Sequence, residues 1–306
     1  PAWSTLFASR QSGVPFITTY HGAYGERGAF KRFYNSVMVR GRLVIANSEY
    51  TARLIETRYQ TPRAQIRVIH RGVDAAFDPD QVTLERIAAI RQRWGVGEGL
   101  RIILLAGRLT SWKGQEVLID AFAQLARDDG IGDAIVVLAG DHQGREAYRD
   151  GLVERIAAAG LDERVRLVGH EDDMPGAFAA AHIAVVASTE PEAFGRTAVE
   201  AQAMGCPVIA TRHGAPPETV IAPPEAGPET QTGWLARPGH AGDLAIHLSE
   251  AMALPEAARQ IMGRNAQHNV LANFTSALMK SKTLMVYNEV IDQLPEAEQN
   301  PRFELS

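Results

Sequence analysis

The chain has 306 residues, 45% of them hydrophobic and 22% charged, with a formal net charge of -5. That length suits about two domains with sizeable cores, and no run approaches the roughly 18 apolar residues that span a bilayer. The single cysteine, Cys206, excludes an intrachain disulfide and a cysteine-rich metal site, and it fits a reducing, cytoplasmic setting.

The charge is unevenly spread. Residues 1–75 carry eleven Lys and Arg against four acids. Such a segment fits an anionic membrane surface or an anionic acceptor, and equally a plain solvated basic face. Basic residues do not interleave with aromatics as in nucleic-acid readers, so no nucleic-acid partner is expected.

The chain opens at Pro1 with no signal-peptide pattern. Trp3 to Arg10 already reads like the middle of a helix, so the expectation is a chain lacking its true N-terminus. Short β-rich runs follow at 15–20, 43–46 and 66–69, separated by helical patterns at 28–39 and 48–59. This alternation predicts βαβ units and a parallel sheet. Three strands are too few for a complete doubly wound domain, so residues 1–75 are expected to form a partial one. His21 follows the first strand and precedes Gly22, a position that suits an active-site histidine as well as a structural one.

Gly72 to Asp80 is turn-rich and predicts a linker, continuing into a helix at 82–93, so that 76–97 reads as linker and helix. Asp78-Pro-Asp80 matches an Asp-x-Asp metal pattern only formally, and no metal site is expected there or elsewhere. Strands are predicted at 101–106, 134–139, 165–168, 183–187, 207–210 and 233–236. Helices are predicted between them at 113–127, 145–159, 174–181, 195–204 and 241–252. Residues 98–274 thus read as a complete doubly wound domain. Helical patterns at 255–271 and 275–292 follow, and 293–306 reads as a frayed tail.

Two segments suggest chemistry. In Gly107-Arg108-Leu-Thr-Ser-Trp-Lys113-Gly114, two cations lie on a glycine-bearing loop at a strand's carboxyl end, where Arg108 can grip phosphate oxygens and Lys113 adds a point charge. The spacing is not that of a Walker loop. In Glu192-Ala-Phe194-Gly195-Arg196-Thr197-Ala-Val-Glu200, two carboxylates bracket a helix that starts near Gly195. A helix N-terminus favours an anion, and the flanking carboxylates suit hydroxyls, which together describe a nucleotide sugar. An exposed acidic helix start is the plainer reading of the same residues. Cys206-Pro-Val-Ile-Ala210 reads as a buried strand, and Thr211 to Glu218 as a loop at its carboxyl end.

Together these segments resemble the family-4 retaining glycosyltransferases over nearly the whole chain. Gly107-Arg108…Lys113-Gly114 with Leu118-Ile-Asp-Ala-Phe122 looks like the family's donor-diphosphate loop, and Glu192…Glu200 like its paired-glutamate signature. Ser48-Glu-Tyr-Thr51 and Ile69-His-Arg-Gly72-Val73-Asp74 look like the end of its N-terminal domain. The resemblance implies a GT-B fold, two Rossmann-like domains facing a cleft, with the first incomplete and completed by helix 275–292. It implies that Arg108 and Lys113 neutralise a diphosphate and that Gly107 lines its loop. Glu192 would bind the transferred sugar, Phe194, Gly195 and Arg196 would offer backbone N–H groups, Thr197 would join the donor-binding residues, and Glu200 would hold the ribose. Val168, Gly169 and His170 would meet the base, and His21 would stand near the transferred sugar.

The implied activity is retaining, metal-independent transfer of a sugar from a nucleoside-diphosphate sugar to a glycan or glycolipid acceptor in bacterial polysaccharide synthesis. Three departures stand out. The family's N-terminal glycine-rich loop has no counterpart. Gly214-Ala215 replaces two glycines, and Gly140-Asp-His-Gln-Gly144 replaces a shorter turn. A nucleotide-sugar epimerase or phosphorylase of the same fold, and a non-catalytic nucleotide-sugar-binding module, remain open. The chain alone is expected to bind donor, turn over poorly and self-associate through an exposed sheet edge.

Overall fold

A computed structural model describes residues 2–22, 28–127, 130 and 132–294. Two compact units emerge: residues 2–72 with 276–294, and residues 73–275. Most of the expected tail, 295–306, lies outside the described residues.

The first unit holds α1 (Ala2–Ser12), β1 (Ile17–Tyr20), α2 (Ala29–Asn35), β2 (Leu43–Ala46), α3 (Glu49–Tyr59) and β3 (Ile66–Val68). Its strands pair in parallel in the order β1-β2-β3, with Ile17 opposite Leu43 and Val44 opposite Ile66. β2 is Leu-Val-Ile-Ala, buried throughout, as a strand covered on both faces must be. Successive side chains leave opposite faces. Val44 and Ala46 pack with Ala52 and Ile55 of α3, whereas Leu43 and Ile45 meet Val286 and Val290 of the C-terminal helix Ser276–Ile291.

α3 begins where extended Ser48 accepts a hydrogen bond from Thr51 N–H, and it ends where Gln60 turns left-handed at φ 54. The helix expected at 28–39 is shorter. After Asn35 it tightens into a 3-10 turn over Ser36–Val39, which buries Val37.

The second unit contains α4 (Leu84–Arg93), β4 (Arg101–Ala106), α5 (Gln115–Arg127), β5 (Ala134–Ala139), α6 (Glu146–Ala158), β6 (Val165–Gly169) and α7 (Met174–Ala180). It continues with β7 (Ile183–Val186), α8 (Arg196–Ala203), β8 (Val208–Thr211), α9 (Pro216–Thr219), β9 (Gly233–Ala236), α10 (Ala241–Ala253) and α11 (Glu256–Asn273). All six strands are parallel, in the order β6-β5-β4-β7-β8-β9. Ile103 and Leu105 face a core with Leu118 and Phe122 of α5, Leu152 of α6 and Leu244 of α10. Ile102 and Leu104 face the opposite core, built with Ile90 of α4, Phe178 of α7 and Ala198 and Ala201 of α8.

The segment expected as a linker is absorbed into this second unit. Phe77 and Val73 pack beside Phe194, Val199 and Phe274, and Ile90, Trp94 and Val96 are buried. The turn residues of the segment are local. The Asp78 side chain accepts from Asp80 N–H and caps a 3-10 turn. Val73 N–H donates to Phe274 O at 2.8 Å, so the unit's two ends lie side by side.

The sheet reverses its winding between β4 and β7. Chains leaving these adjacent strands diverge, opening a crevice at their carboxyl ends, where open α/β sheets hold ligands. The loops that carry Arg108 and Glu192 leave these two strands. Among the described residues no helix is long and apolar enough to cross a membrane.

Candidate nucleotide-sugar site

The loop after β4 is built to bring one cation forward. Arg108 is exposed, and its guanidinium has no hydrogen bond or ion pair among the described residues. Its backbone, in contrast, is held: Gln115 Nε2 donates to Arg108 O at 3.0 Å, and Leu109 N–H donates to Asp141 O at 3.0 Å. Gly140 backs onto this loop so closely that a Cβ there would lie 1.9 Å from Gly107 O. No other residue fits.

Lys113 lies ahead of α5 and outside it. Ser111–Lys113 form a 3-10 turn, and Gly114 is left-handed at φ 75, with room for no Cβ against Ala187 O. The helix expected from 113 therefore starts at Gln115. Lys113 Nζ lies 4.2 Å from the Trp112 ring centroid and 2.5 Å from Glu192 Oε1. Ser188 Oγ donates to the same oxygen at 2.7 Å. The paired side chains are 16% and 13% exposed, so their attraction is little screened.

Glu192 is fixed through its backbone. Its N–H donates to His213 O at 3.3 Å, and its carbonyl accepts from Ala215 N–H at 2.9 Å. Gly214, at φ 89, lies too close to Glu192 O for a side chain. The alanine at 215 fits because it is Gly214 that makes the close approach. Phe194 turns into the core, edge-on to Phe274 at 5.9 Å. Gly195, left-handed at φ 80, starts α8 with no side-chain cap. Thr197 and Glu200 follow on that helix, and Glu200 accepts from Arg196 NH2 at 2.7 Å. Arg196 is the exposed partner, at 69% against 15%.

A cavity of about 250 Å³ opens among these loops, lined by Gly107, Arg108, Asp141, Gln143, His170, Glu171, Met174, Thr197 and Glu200. The Asp141 carboxyl is held below its ordinary pKa, chiefly by the Gln143 N–H. His170 pairs with Asp172 at 3.0 Å. Val168 is partly buried against the core of the second unit, and Gly169 ends β6 at φ 73.

Of the residues singled out in the sequence, Gly107, Arg108, His170, Thr197 and Glu200 thus share one cavity, while Lys113 and Glu192 pair with each other. Asp141, Gln143, Glu171, Met174 and Ser188 were not foreseen as part of the site. Only Ser188 carried a signal, a hydroxyl at a strand end four residues before a singled-out glutamate. Among the described residues no three His, Cys, Asp or Glu come together as a metal-holding group.

His21 belongs to the first unit. Its carbonyl accepts from Asn47 Nδ2 at 3.1 Å, and its Nδ1 lies 2.7 Å from Arg71 NH2. A guanidinium only donates, so Nδ1 is the acceptor and Nε2 carries the hydrogen. Burial, and then the Arg71 charge, lower the His21 pKa, which keeps the ring neutral at pH 7. Residues 23–27, which follow this turn, lie outside the described residues.

The parallel sheets with flanking helices give the chain an α/β architecture of the GT-B type. Residues 86–269 match the family described as Glycosyl transferases group 1, and residues 1–77 match Glycosyltransferase Family 4. The chain belongs to this glycosyltransferase family. It is 30% identical over 304 residues to the D-inositol 3-phosphate glycosyltransferase of Salinispora tropica, covering 93% of this chain and 61% of that protein. A glycosyltransferase from Rickettsia africae superimposes with a TM-score of 0.85 at 32% identity, over 96% of this chain and 75% of that one. Anabaena Alr3699/HepE, solved with UDP and glucose, gives 0.82 at 26% identity, over 94% and 75%. The chain therefore spans less than two thirds of the length of that curated relative.

Proposed function

We propose that the protein is a retaining, metal-independent glycosyltransferase that moves a sugar from a nucleoside-diphosphate sugar to a glycan or glycolipid acceptor. The observation that carries the reading is the uncommitted guanidinium of Arg108, held beside Glu200 and α8 at the sheet's switch point. Its neighbours fit the parts of such a donor. Arg108, Lys113 and the uncapped start of α8 supply positive charge for a diphosphate. Glu200 suits the ribose hydroxyls, and Glu192 with Ser188 suits the transferred sugar. The pocket wall at Asp141 and His170 suits the base. Alr3699/HepE, similar to this chain, is described with UDP, glucose and UDP-glucose bound.

In the proposed reaction the bond from the anomeric carbon to the diphosphate breaks, and an oxocarbenium-like centre forms. Charge builds on the departing phosphate oxygens, where the two cations and the helix start stabilise it. The acceptor oxygen attacks from the same face. Its proton passes to the departing phosphate, so configuration is retained and neither glutamate becomes a covalent nucleophile. Neutral His21, with hydrogen on Nε2, suits a donor to a sugar hydroxyl. A role in bacterial cell-surface polysaccharide synthesis, at the cytoplasmic face of the membrane, fits the basic residues of positions 1–75.

The test is calorimetry with UDP, GDP and ADP, followed by product analysis with the matching nucleotide sugars and glycan or glycolipid acceptors. Binding plus a product with the donor's anomeric configuration supports the reading. Absence of any nucleoside-diphosphate binding overturns it. Binding without transfer by the full-length protein favours a non-catalytic module, and acceptor-free rearrangement favours an epimerase.

A further inference from the structure

We infer that Gln115 and Tyr148 are positioning residues that brace the Arg108 loop for the donor diphosphate, an assignment that rests on the donor reading above. Gln115 is fully buried, at 0% exposure, as the first residue of α5. Its Nε2 donates to Arg108 O at 3.0 Å, and its Oε1 accepts from Tyr148 Oη at 3.1 Å. The direction is forced. A carbonyl can only accept, so the amide nitrogen must face Arg108, and Oε1 is left for a hydroxyl that must donate. Burial first, and then the Glu116 charge, push the Tyr148 pKa up, so the hydroxyl keeps its proton.

Tyr148 lies on α6, directly after the loop that carries Asp141 and Gln143 along the cavity wall. That loop holds the other side of the Arg108 segment through Leu109 N–H to Asp141 O, and through the close approach of Gly140 to Gly107. The backbone of Arg108 is therefore gripped from α5 on one side and from the loop before α6 on the other. Its guanidinium has no partner among the described residues. A side chain with many rotamers gains most for a fork-shaped contact when its root is fixed beforehand.

The experiment is a double-mutant cycle on nucleoside-diphosphate affinity, using UDP, GDP or ADP, whichever the parent binds. Tyr148→Phe and Gln115→Met each remove hydrogen bonds with little change of shape. Each is expected to weaken binding about three- to tenfold in the parent and less than about twofold in an Arg108→Ala background. Amide hydrogen exchange of the ligand-free variants is expected to speed up at residues 107–110 and stay unchanged at 102–105. Equal losses in both backgrounds, no loss in either, or unchanged exchange at 107–110 would overturn the brace. If Gln115→Met folds poorly, Tyr148→Phe decides. A parent that binds no nucleoside diphosphate overturns the donor reading and this assignment together, whereas binding with an additive cycle overturns this assignment alone.

Discussion

Arg108 and Lys113 carry the same charge five residues apart, yet the structure predicts different consequences for their loss. Among the described residues the Arg108 guanidinium has no partner. Arg108→Ala should therefore leave folding stability within about 0.5 kcal/mol of the parent. It should weaken nucleoside-diphosphate binding by about 1.5–3 kcal/mol, or about 10- to 150-fold, the range for a hydrogen bond to a charged group. Lys113 is engaged with Glu192 at 2.5 Å, in a pair whose side chains are 16% and 13% exposed. Lys113→Ala leaves that carboxylate with the Ser188 hydroxyl alone.

The stability cost of Lys113→Ala should be about 1–3 kcal/mol, which lowers the midpoint by about 2–12 °C for a unit of this size. Adding Glu192→Gln should recover most of it, because the stranded charge is gone. Scanning calorimetry and titration calorimetry on the same four proteins read both quantities. Equal midpoint losses for the two single variants, or unchanged affinity in Arg108→Ala, would refute the reasoning.

Glu200→Gln should weaken the nucleoside diphosphate itself, whereas Glu192→Gln should act mainly on the intact nucleotide sugar; equal losses for both ligands in both variants would remove that division. Under the proposed mechanism transfer should survive EDTA, and restoration by Mn²⁺ or Mg²⁺ after complete loss would contradict the role given to Arg108, Lys113 and α8. His182 has its pKa lowered from 6.5 to about 4, first by burial and then by Arg259 and Arg101. The unfolded chain therefore binds this proton at higher pH than the folded one does, so stability should fall as pH drops from 6.5 towards 4 and level off below. His182→Asn should flatten that part of the profile in denaturant titrations, and an unchanged slope would count against it.

Much of the fold could be read from the chain because its cues are local. β4 and β5 are apolar runs of helix-free length, and Gly195 and Gly205 bracket α8 in sequence as they do in space. The segment at 72–80 misled because its turn residues are local while Val73 and Phe77 are anchored by distant partners, Phe194 and Phe274. The start of α5 differs for a related reason, since Gly114 is dictated by the approach of Ala187, just past the end of β7. The Lys113–Glu192 pair spans 79 positions and exists only because β4 and β7 are neighbours at the switch point. The loop of Asp141 and Gln143 stands out in the sequence only as a departure from the family's shorter turn, which assigns neither side chain a role.

The meeting of Val73 and Phe274 has a consequence for how the chain comes into being. The second unit is one uninterrupted segment whose ends touch, while the first is interrupted by it. On the ribosome, residues 73–275 can close their sheet as soon as α11 emerges. The sheet of β1, β2 and β3 must wait for Val286 and Val290, which cover Leu43 and Ile45. Translation thus finishes the later-encoded body first and leaves the earlier one with a bare apolar face until the final helix arrives. That face is exposed to chaperones and to aggregation while residues 73–275 are being made.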